Sequence, residues 1–109
     1  MRRGTTPGYI LEISGYDLTE CTVFVTISQN GKKLALQNDR LILEYDSEMD
    51  ISRIMFELTQ QETLEMRMGK AEIQVKFIDE TGYVEATEIG RIGVLPILHE
   101  DVIQYEPDD

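Results

Sequence analysis

Two side chains with nucleophilic or metal-binding chemistry occur once each, Cys21 and His99. A catalytic pair would need an exposed thiolate beside the imidazole. Cys21 instead shares its alternation with Val23 and Val25, so it is predicted to lie in a core, where free cysteines are common. His99 stands in "LHED" and is predicted to be a solvated loop residue. With one residue of each type, no zinc, copper or haem site is expected.

Two segments carry acidic residues in a pattern that could hold a metal ion. In "YDSEMD", Asp46, Glu48 and Asp50 have a spacing that could surround calcium, but the segment lacks the glycine and the final acid of a calcium loop, and a solvated turn is predicted. "EIQVK" has the Gln-x-Lys spacing that, like Glu-x-Lys, recurs on strands of metal-dependent nucleases, yet Glu72, Gln74 and Lys76 simply fill the polar half of a strand. We therefore predict no catalytic, cofactor-binding or metal-binding residues, and a protein that is not an enzyme.

The charge balance narrows the classes of partner. The chain has 109 residues, 21 acidic and 10 basic, for a net charge of -11. Its average field repels phosphate, so neither nucleic acid nor an anionic membrane surface is an expected partner. No apolar run reaches the roughly 18 residues of a membrane span, and the start "MRRGTTP" lacks the apolar stretch of a signal peptide. The lone cysteine forms no internal disulfide.

Apolar and polar residues alternate through most of the chain, which is the pattern of half-buried strands. The clearest case is "CTVFVTISQNGKKLAL", where Asn30 and Gly31 supply the positive φ angles of a tight hairpin turn. Further strands are predicted at 9–14 and in "RLILEY", "SRIMFEL", "KAEIQVKFI" and "YVEATEIGRIGVL". Gly90 and Gly93 interrupt the last of these and are expected to mark a bulge or a close approach.

One segment, "TQQETLEM", changes period. Thr59 is expected to cap a helical start, with Glu62 reaching back to its amide, so a short helical turn is predicted near residues 59–67. About seven strands, frequent turns and one helical turn predict an all-β fold, an immunoglobulin-like antiparallel β-sandwich. A small barrel is the alternative.

The predicted sandwich domain covers residues 9–96 and leaves two terminal segments. Residues 1–8 are predicted to form a flexible arm that is either solvated or reaches acidic surface on a neighbouring protomer. Residues 97–109 are predicted to form a docking segment with an acidic tail, because so apolar a terminus seldom stays in water. This segment either folds back over the sandwich or docks on another subunit. The predicted partner-binding residues are Arg2, Arg3, Ile97, Leu98, Val102, Ile103 and Tyr105.

Several segments, taken in order, resemble a known family over nearly the whole chain. They are "MRRGTTP", "SQNGK", "ELTQQETLEM", "GKAEIQVKFIDETG" and the closing "ILHEDVI" run. The family consists of small proteins encoded among the tail and baseplate genes of prophages of gut Firmicutes. Its organisation is similar to the N-terminal β-sandwich domain of siphophage upper baseplate proteins. The resemblance implies a virion structural part with no active site to carry over.

These observations lead us to expect a structural or assembly protein of a tailed phage or prophage. It would be made in the bacterial host cytoplasm, reside in the tail or baseplate of the virion, and contact other tail or baseplate proteins or copies of itself. Two alternatives stay open. One is an acidic inhibitor that imitates DNA to block a host defence protein. The other is a capsid-surface decoration domain that binds carbohydrate through aromatic residues such as Tyr16, Tyr83 or Tyr105.

Overall fold

The structure, a computed structural model, describes residues 1–87 and 90–94. Within them lie eight strands, one 3-10 turn at Asn38–Arg40 and one short helical turn, α1 (Gln60–Leu64), between the fifth and sixth strands. The strands are β1 (Gly8–Ser14), β2 (Thr22–Gln29), β3 (Lys32–Leu36), β4 (Ile42–Asp46), β5 (Ile51–Glu57), β6 (Gly69–Ile78), β7 (Val84–Ala86) and β8 (Gly90–Val94).

The strands form two antiparallel sheets. One has the order β1-β5-β4, and the other has the order β3-β2-β6-β7, with β8 also paired to β6. The predicted all-β antiparallel sandwich is confirmed. Because β7 and β8 both pair with β6 and together replace the predicted glycine-interrupted strand, the eight strands fill seven positions.

The strand order is that of an immunoglobulin sandwich. In that fold, strands A, B, E and D share one sheet and strands C, F and G share the other, which C′ joins in variable-type domains. Here β1-β5-β4 corresponds to B-E-D, and β3-β2-β6 with β7 and β8 corresponds to C′-C-F-G. Within the described residues no strand takes the position of A, beside β1. As a result, β1 is an edge strand.

Side chains that alternate along the strands form the core between the sheets. Cys21 is among them, as predicted, and β5 and β6 contribute from opposite sheets. The buried apolar residues are Leu18, Cys21, Val23, Val25, Ile27, Leu36, Leu41, Ile54, Phe56, Leu58, Met66, Ala71, Val75, Phe77 and Val94.

Two sequence signals for backbone geometry are confirmed. Asn30 and Gly31 have φ angles of 50° and 82° and join β2 to β3 in a two-residue hairpin. A Cβ on Gly90 would lie 3.2 Å from Cγ2 of Ile73, so this glycine permits a close approach of β8 to β6. Gly93 has no such neighbour within 4 Å, and the structure gives no steric reason for glycine there.

Two polar side chains fasten loops to the sandwich. The fully buried Ser52 hydroxyl accepts a hydrogen bond from the Leu18 amide (2.9 Å) and donates one to the Tyr16 carbonyl (2.7 Å). The Asn38 side chain accepts from the Val23 amide (2.7 Å) and donates to the Cys21 carbonyl (2.9 Å). These bonds satisfy backbone groups that strand pairing leaves over.

The N-terminal segment lies against the sandwich, in contrast to the flexible arm that the sequence predicts for residues 1–8. The Arg3 guanidinium donates to the carbonyls of Leu64 (2.8 Å) and Met66 (2.5 Å), and the Thr63 hydroxyl donates to the Thr5 carbonyl (2.8 Å). The amino terminus donates to the Gly93 carbonyl. The physical reason is that the carbonyls after a helical turn need donors, and Arg3 supplies two.

The predicted capping box is present at the start of α1. The Thr59 hydroxyl accepts from the Glu62 amide (3.1 Å), and the Glu62 carboxylate accepts from the Thr59 amide (2.8 Å). The Thr59→Ala variant is expected to lower the free energy of unfolding by about 1 kcal/mol, the usual cost of losing such a cap. Urea denaturation measures this loss. Gln61→Ala, on the exposed side of the same turn, is the control, and an equal loss in both variants would contradict a specific role for the cap.

Candidate interaction surface

The outer face of the three-stranded sheet carries a row of apolar side chains. Ile10 of β1 lies opposite Met55 of β5, and Met55 lies opposite Ile42 of β4. Ile10 is 64% exposed and Ile42 is 62% exposed, while Met55 is half-buried. We call these three residues the apolar row. It crosses the whole sheet and ends at the edge formed by β1.

Acidic residues lie on both sides of the apolar row. On one side Glu12, Arg53 and Glu44 face one another across the three strands, and the Arg53 Nε lies 3.5 Å from the Glu12 Oε1. On the other side Glu57 faces Gly8, and its Cγ would be 3.7 Å from a Cβ built on that glycine. Glu12 and Glu57 therefore both lie close to the β1 edge.

A groove adjoins the apolar row at the end of the sheet where β1 begins. Its volume is about 1030 Å³, and Ile10, Ile42 and Met55 are among its lining residues. Arg40 lies on its rim and donates to the Glu62 carboxylate (2.8 Å) and the Glu57 carbonyl (3.1 Å). The hydrogen bond from Arg40 lowers the pKa of Glu62. This cation is thus engaged within the chain.

Hydrogen bonds at the two ends of β1 show which of its backbone groups face β5. The Leu58 amide donates to the Pro7 carbonyl (3.1 Å), and the Gly15 amide donates to the Asp50 carbonyl (2.8 Å). In an antiparallel ladder, hydrogen-bonded pairs recur at every second residue. The odd-numbered residues of β1 therefore bond to β5. Its even-numbered residues, from Gly8 to Ser14, point their amides and carbonyls towards the open edge.

The edges formed by β3, β4 and β7 carry features that discourage strand addition. Lys32 and Lys33 lie on β3, Glu44 and Asp46 lie on β4, and β7 has only three residues. Lysines, charges and short length protect edge strands from pairing with other chains. In contrast, β1 has seven residues and a single charged side chain, Glu12.

Two of the aromatic residues considered for carbohydrate contact meet at one carboxylate. The Tyr83 hydroxyl donates to the Glu85 Oε2 (2.5 Å), and the Tyr16 hydroxyl approaches the same oxygen (3.3 Å). The hydrogen bond between Tyr83 and Glu85 raises the pKa of the phenol and lowers that of the carboxyl. Tyr16 also packs edge-on against Phe77, so it belongs partly to the core.

The Cys21 thiol and the acidic turn at residues 46–50 each contact nearby groups of the chain. Burial raises the pKa of the Cys21 thiol, whose sulfur approaches the Asp17 carbonyl (3.6 Å). In the acidic turn, Asp46 accepts from the Glu48 amide (3.0 Å) and Asp50 accepts from the Tyr45 hydroxyl (2.8 Å). Over residues 1–87 and 90–94, no group of three or more histidine, cysteine or acidic side chains is arranged to hold a metal ion.

The partner-binding residues predicted from sequence are not brought together by the described structure. Arg3 bonds to the carbonyls of Leu64 and Met66 at the C-terminal end of α1, and Arg2 lies in the same docked segment. His99 and the predicted docking residues Ile97, Leu98, Val102, Ile103 and Tyr105 lie outside the described residues.

The apolar row was missed by the sequence interpretation, although a signal for it exists. Ile10 and Ile42 occupy the polar half of their strands' two-residue period, where they alternate with Leu11 and Leu43. Apolar residues on the solvent side of several strands form a contact surface when they are contiguous. Only strand pairing shows that these positions are adjacent.

No protein-family model matches this chain, and a search of curated proteins finds no match either. Among the described residues, no helix has the length and apolar character needed to cross a membrane.

Proposed function

We propose that this protein is a non-enzymatic structural or assembly component of a tailed phage or prophage, located in the tail or baseplate of the virion. It acts through protein–protein contacts. The observation that carries the proposal is the apolar row, which is exposed on a sheet whose edge strand β1 has no neighbour on its outer side among residues 1–87 and 90–94. The resemblance of several sequence segments to those of tail and baseplate-module proteins supports the choice of particle and partner.

The apolar row is large enough to stabilise a contact. Fully burying an exposed isoleucine side chain gains roughly 1.5–3 kcal/mol, and Ile10 and Ile42 are both more than half exposed. Exposed apolar residues are common singly, but a contiguous set marks an interaction site. Here the three residues are contiguous across three strands. The outer face of this sheet is thus the surface that we assign to the partner.

The acidic residues give less support to the DNA-mimic alternative. That function needs carboxylates aligned at phosphate-like spacing. In the row next to the apolar residues, Arg53 lies between Glu12 and Glu44 and pairs with Glu12. A cation in the middle of the row interrupts the negative line.

The Ile10→Lys variant tests the proposal directly. Affinity-tagged protein is incubated with purified tail and baseplate proteins of the phage or prophage, and the recovered proteins are measured by mass spectrometry. We expect about tenfold weaker recovery with Ile10→Lys, because burying a lysine in an apolar contact costs at least the 1.4 kcal/mol that corresponds to this factor. Met68→Lys is the matched control, since Met68 is 69% exposed and lies off the apolar row.

Two results would reject the proposed function. The first is that the protein stays monomeric when mixed with the tail and baseplate proteins and is missing from purified particles. The second is salt-sensitive recovery of a host nucleic-acid-binding protein with no tail protein, which would favour the DNA-mimic function.

A further inference from the structure

We infer that the open edge of β1 binds an extended partner segment with the pattern basic–x–apolar–x–basic, which adds a fourth strand to the three-stranded sheet. This inference rests on the proposed function and names the chemistry of its partner. The added strand would take the position that strand A has in an immunoglobulin sandwich. Strand addition of this kind uses backbone hydrogen bonds for affinity and alternate side chains for specificity.

The backbone of β1 is oriented for such an addition. The amides and carbonyls of Gly8, Ile10, Glu12 and Ser14 point away from β5, as the bonds at Pro7 and Gly15 show. The side chains of the same even-numbered residues lie on the outer face, and Gly8, Ile10, Glu12 and Ser14 are all exposed. A partner strand paired to this edge would therefore extend the face that carries the apolar row.

The side chains on this face specify the pattern of the partner. A residue opposite Ile10 would continue the apolar row and should be apolar. Its neighbours two positions away on the same face would lie beside Glu12 on one side and beside Gly8 on the other, where Glu57 approaches the edge. Opposite charges on neighbouring strands stabilise the pairing. The net charge of -11 also favours a basic partner.

A second copy of this chain fits the edge less well. Pairing two β1 strands with Ile10 opposite Ile10 would place Glu12 of one copy beside Gly8 and Glu57 of the other. That arrangement sets acid against acid, and like charges on facing strands destabilise a sheet. Shifting the pairing by two residues would place Ile10 opposite Glu12 and break the apolar row. Charge complementarity therefore selects a basic segment.

The test measures amide exchange by NMR in the full-length protein with a blocked peptide, Lys-Thr-Val-Thr-Lys. We expect the Ile10 and Glu12 amides to exchange about tenfold more slowly when the peptide is bound, because they acquire acceptors. The Leu11 and Ile13 amides, which already bond to β5, should not change. Two control peptides, Glu-Thr-Val-Thr-Glu and Lys-Thr-Ser-Thr-Lys, should bind about tenfold more weakly.

A charge reversal gives a second readout of the same contact. Glu12→Lys should reverse the preference, so that the glutamate peptide binds more tightly than the lysine peptide. Glu48→Lys makes the same charge change in the turn between β4 and β5 and should retain the original preference.

Three outcomes would overturn the inference. They are an absence of protection with the lysine peptide, protection of Ile10 and Glu12 that grows with protein concentration alone, and protection in the dilute protein without peptide. The second would identify another copy as the occupant, and the third would mean that the chain covers its own edge. None of these outcomes changes the expectation that wild type recovers tail proteins and that Ile10→Lys recovers fewer. Failure of this inference can therefore be told apart from failure of the proposed function.

Discussion

Phe77→Ala is expected to lower the free energy of unfolding by about 3–5 kcal/mol, the range for removing a buried aromatic side chain. Phe77 is 2% exposed and lies on β6, opposite Val23 of β2. Its ring centroid is 5.0 Å from that of Tyr16. Since a domain is stable by only about 5–15 kcal/mol, this single change removes a large share of the total.

Urea denaturation of Phe77→Ala, followed by circular dichroism, measures the effect. Lys76→Ala is the control, because Lys76 immediately precedes Phe77 on β6 and faces solvent. The control should change the free energy of unfolding by less than about 0.5 kcal/mol. A loss below about 1 kcal/mol in Phe77→Ala would contradict tight packing of Phe77, because it would mean that the two sheets close the space that the ring leaves.

Arg3→Ala is expected to lower the free energy of unfolding by about 2 kcal/mol. The partly buried guanidinium donates to the carbonyls of Leu64 and Met66. Hydrogen bonds made by charged groups contribute roughly 1.5–3 kcal/mol, and the change would leave two carbonyls without this donor. Arg3→Lys should recover only part of the loss, because lysine lacks the planar fork that reaches two acceptors at once.

The Arg3 variants also decide between the docked segment and the flexible arm expected from sequence. An arm that serves only a partner would leave the unfolding curve of Arg3→Ala unchanged while weakening the recovery of tail proteins. If the segment is docked, Arg3→Ala should mainly lower the free energy of unfolding and have the smaller effect on the recovery of tail proteins. Measuring unfolding and recovery on the same variants separates the two.

Local sequence signals predicted the local structure well. Asn30-Gly31 has the residue types that a primed turn requires, and the turn joins β2 to β3. Thr59 and Glu62 stand at capping-box spacing, and the box forms. The inward position of Cys21 followed from the alternation with Val23. In each case the cause lies within a few residues, so a single sequence contains it.

The candidate surface was less accessible from the sequence. Ile10, Ile42 and Met55 are separated by up to 45 positions in the chain, and each alone is an ordinary exposed or half-exposed apolar residue. The two-residue period assigns them to a face of their strands, but the period does not say which strands are neighbours. Their contiguity depends on β5 lying between β1 and β4.

The residues alone were enough to establish an all-β sandwich and its turns, because alternation and turn chemistry act over short distances. The open edge of β1, the row that ends there and the docking of Arg3 came only from the tertiary structure. Arg3 is far in the chain from the Met66 carbonyl that it binds, so the residues around Arg3 do not indicate this contact. A contact between distant segments depends on the free energy of the whole fold, so it cannot be predicted from a short stretch of sequence.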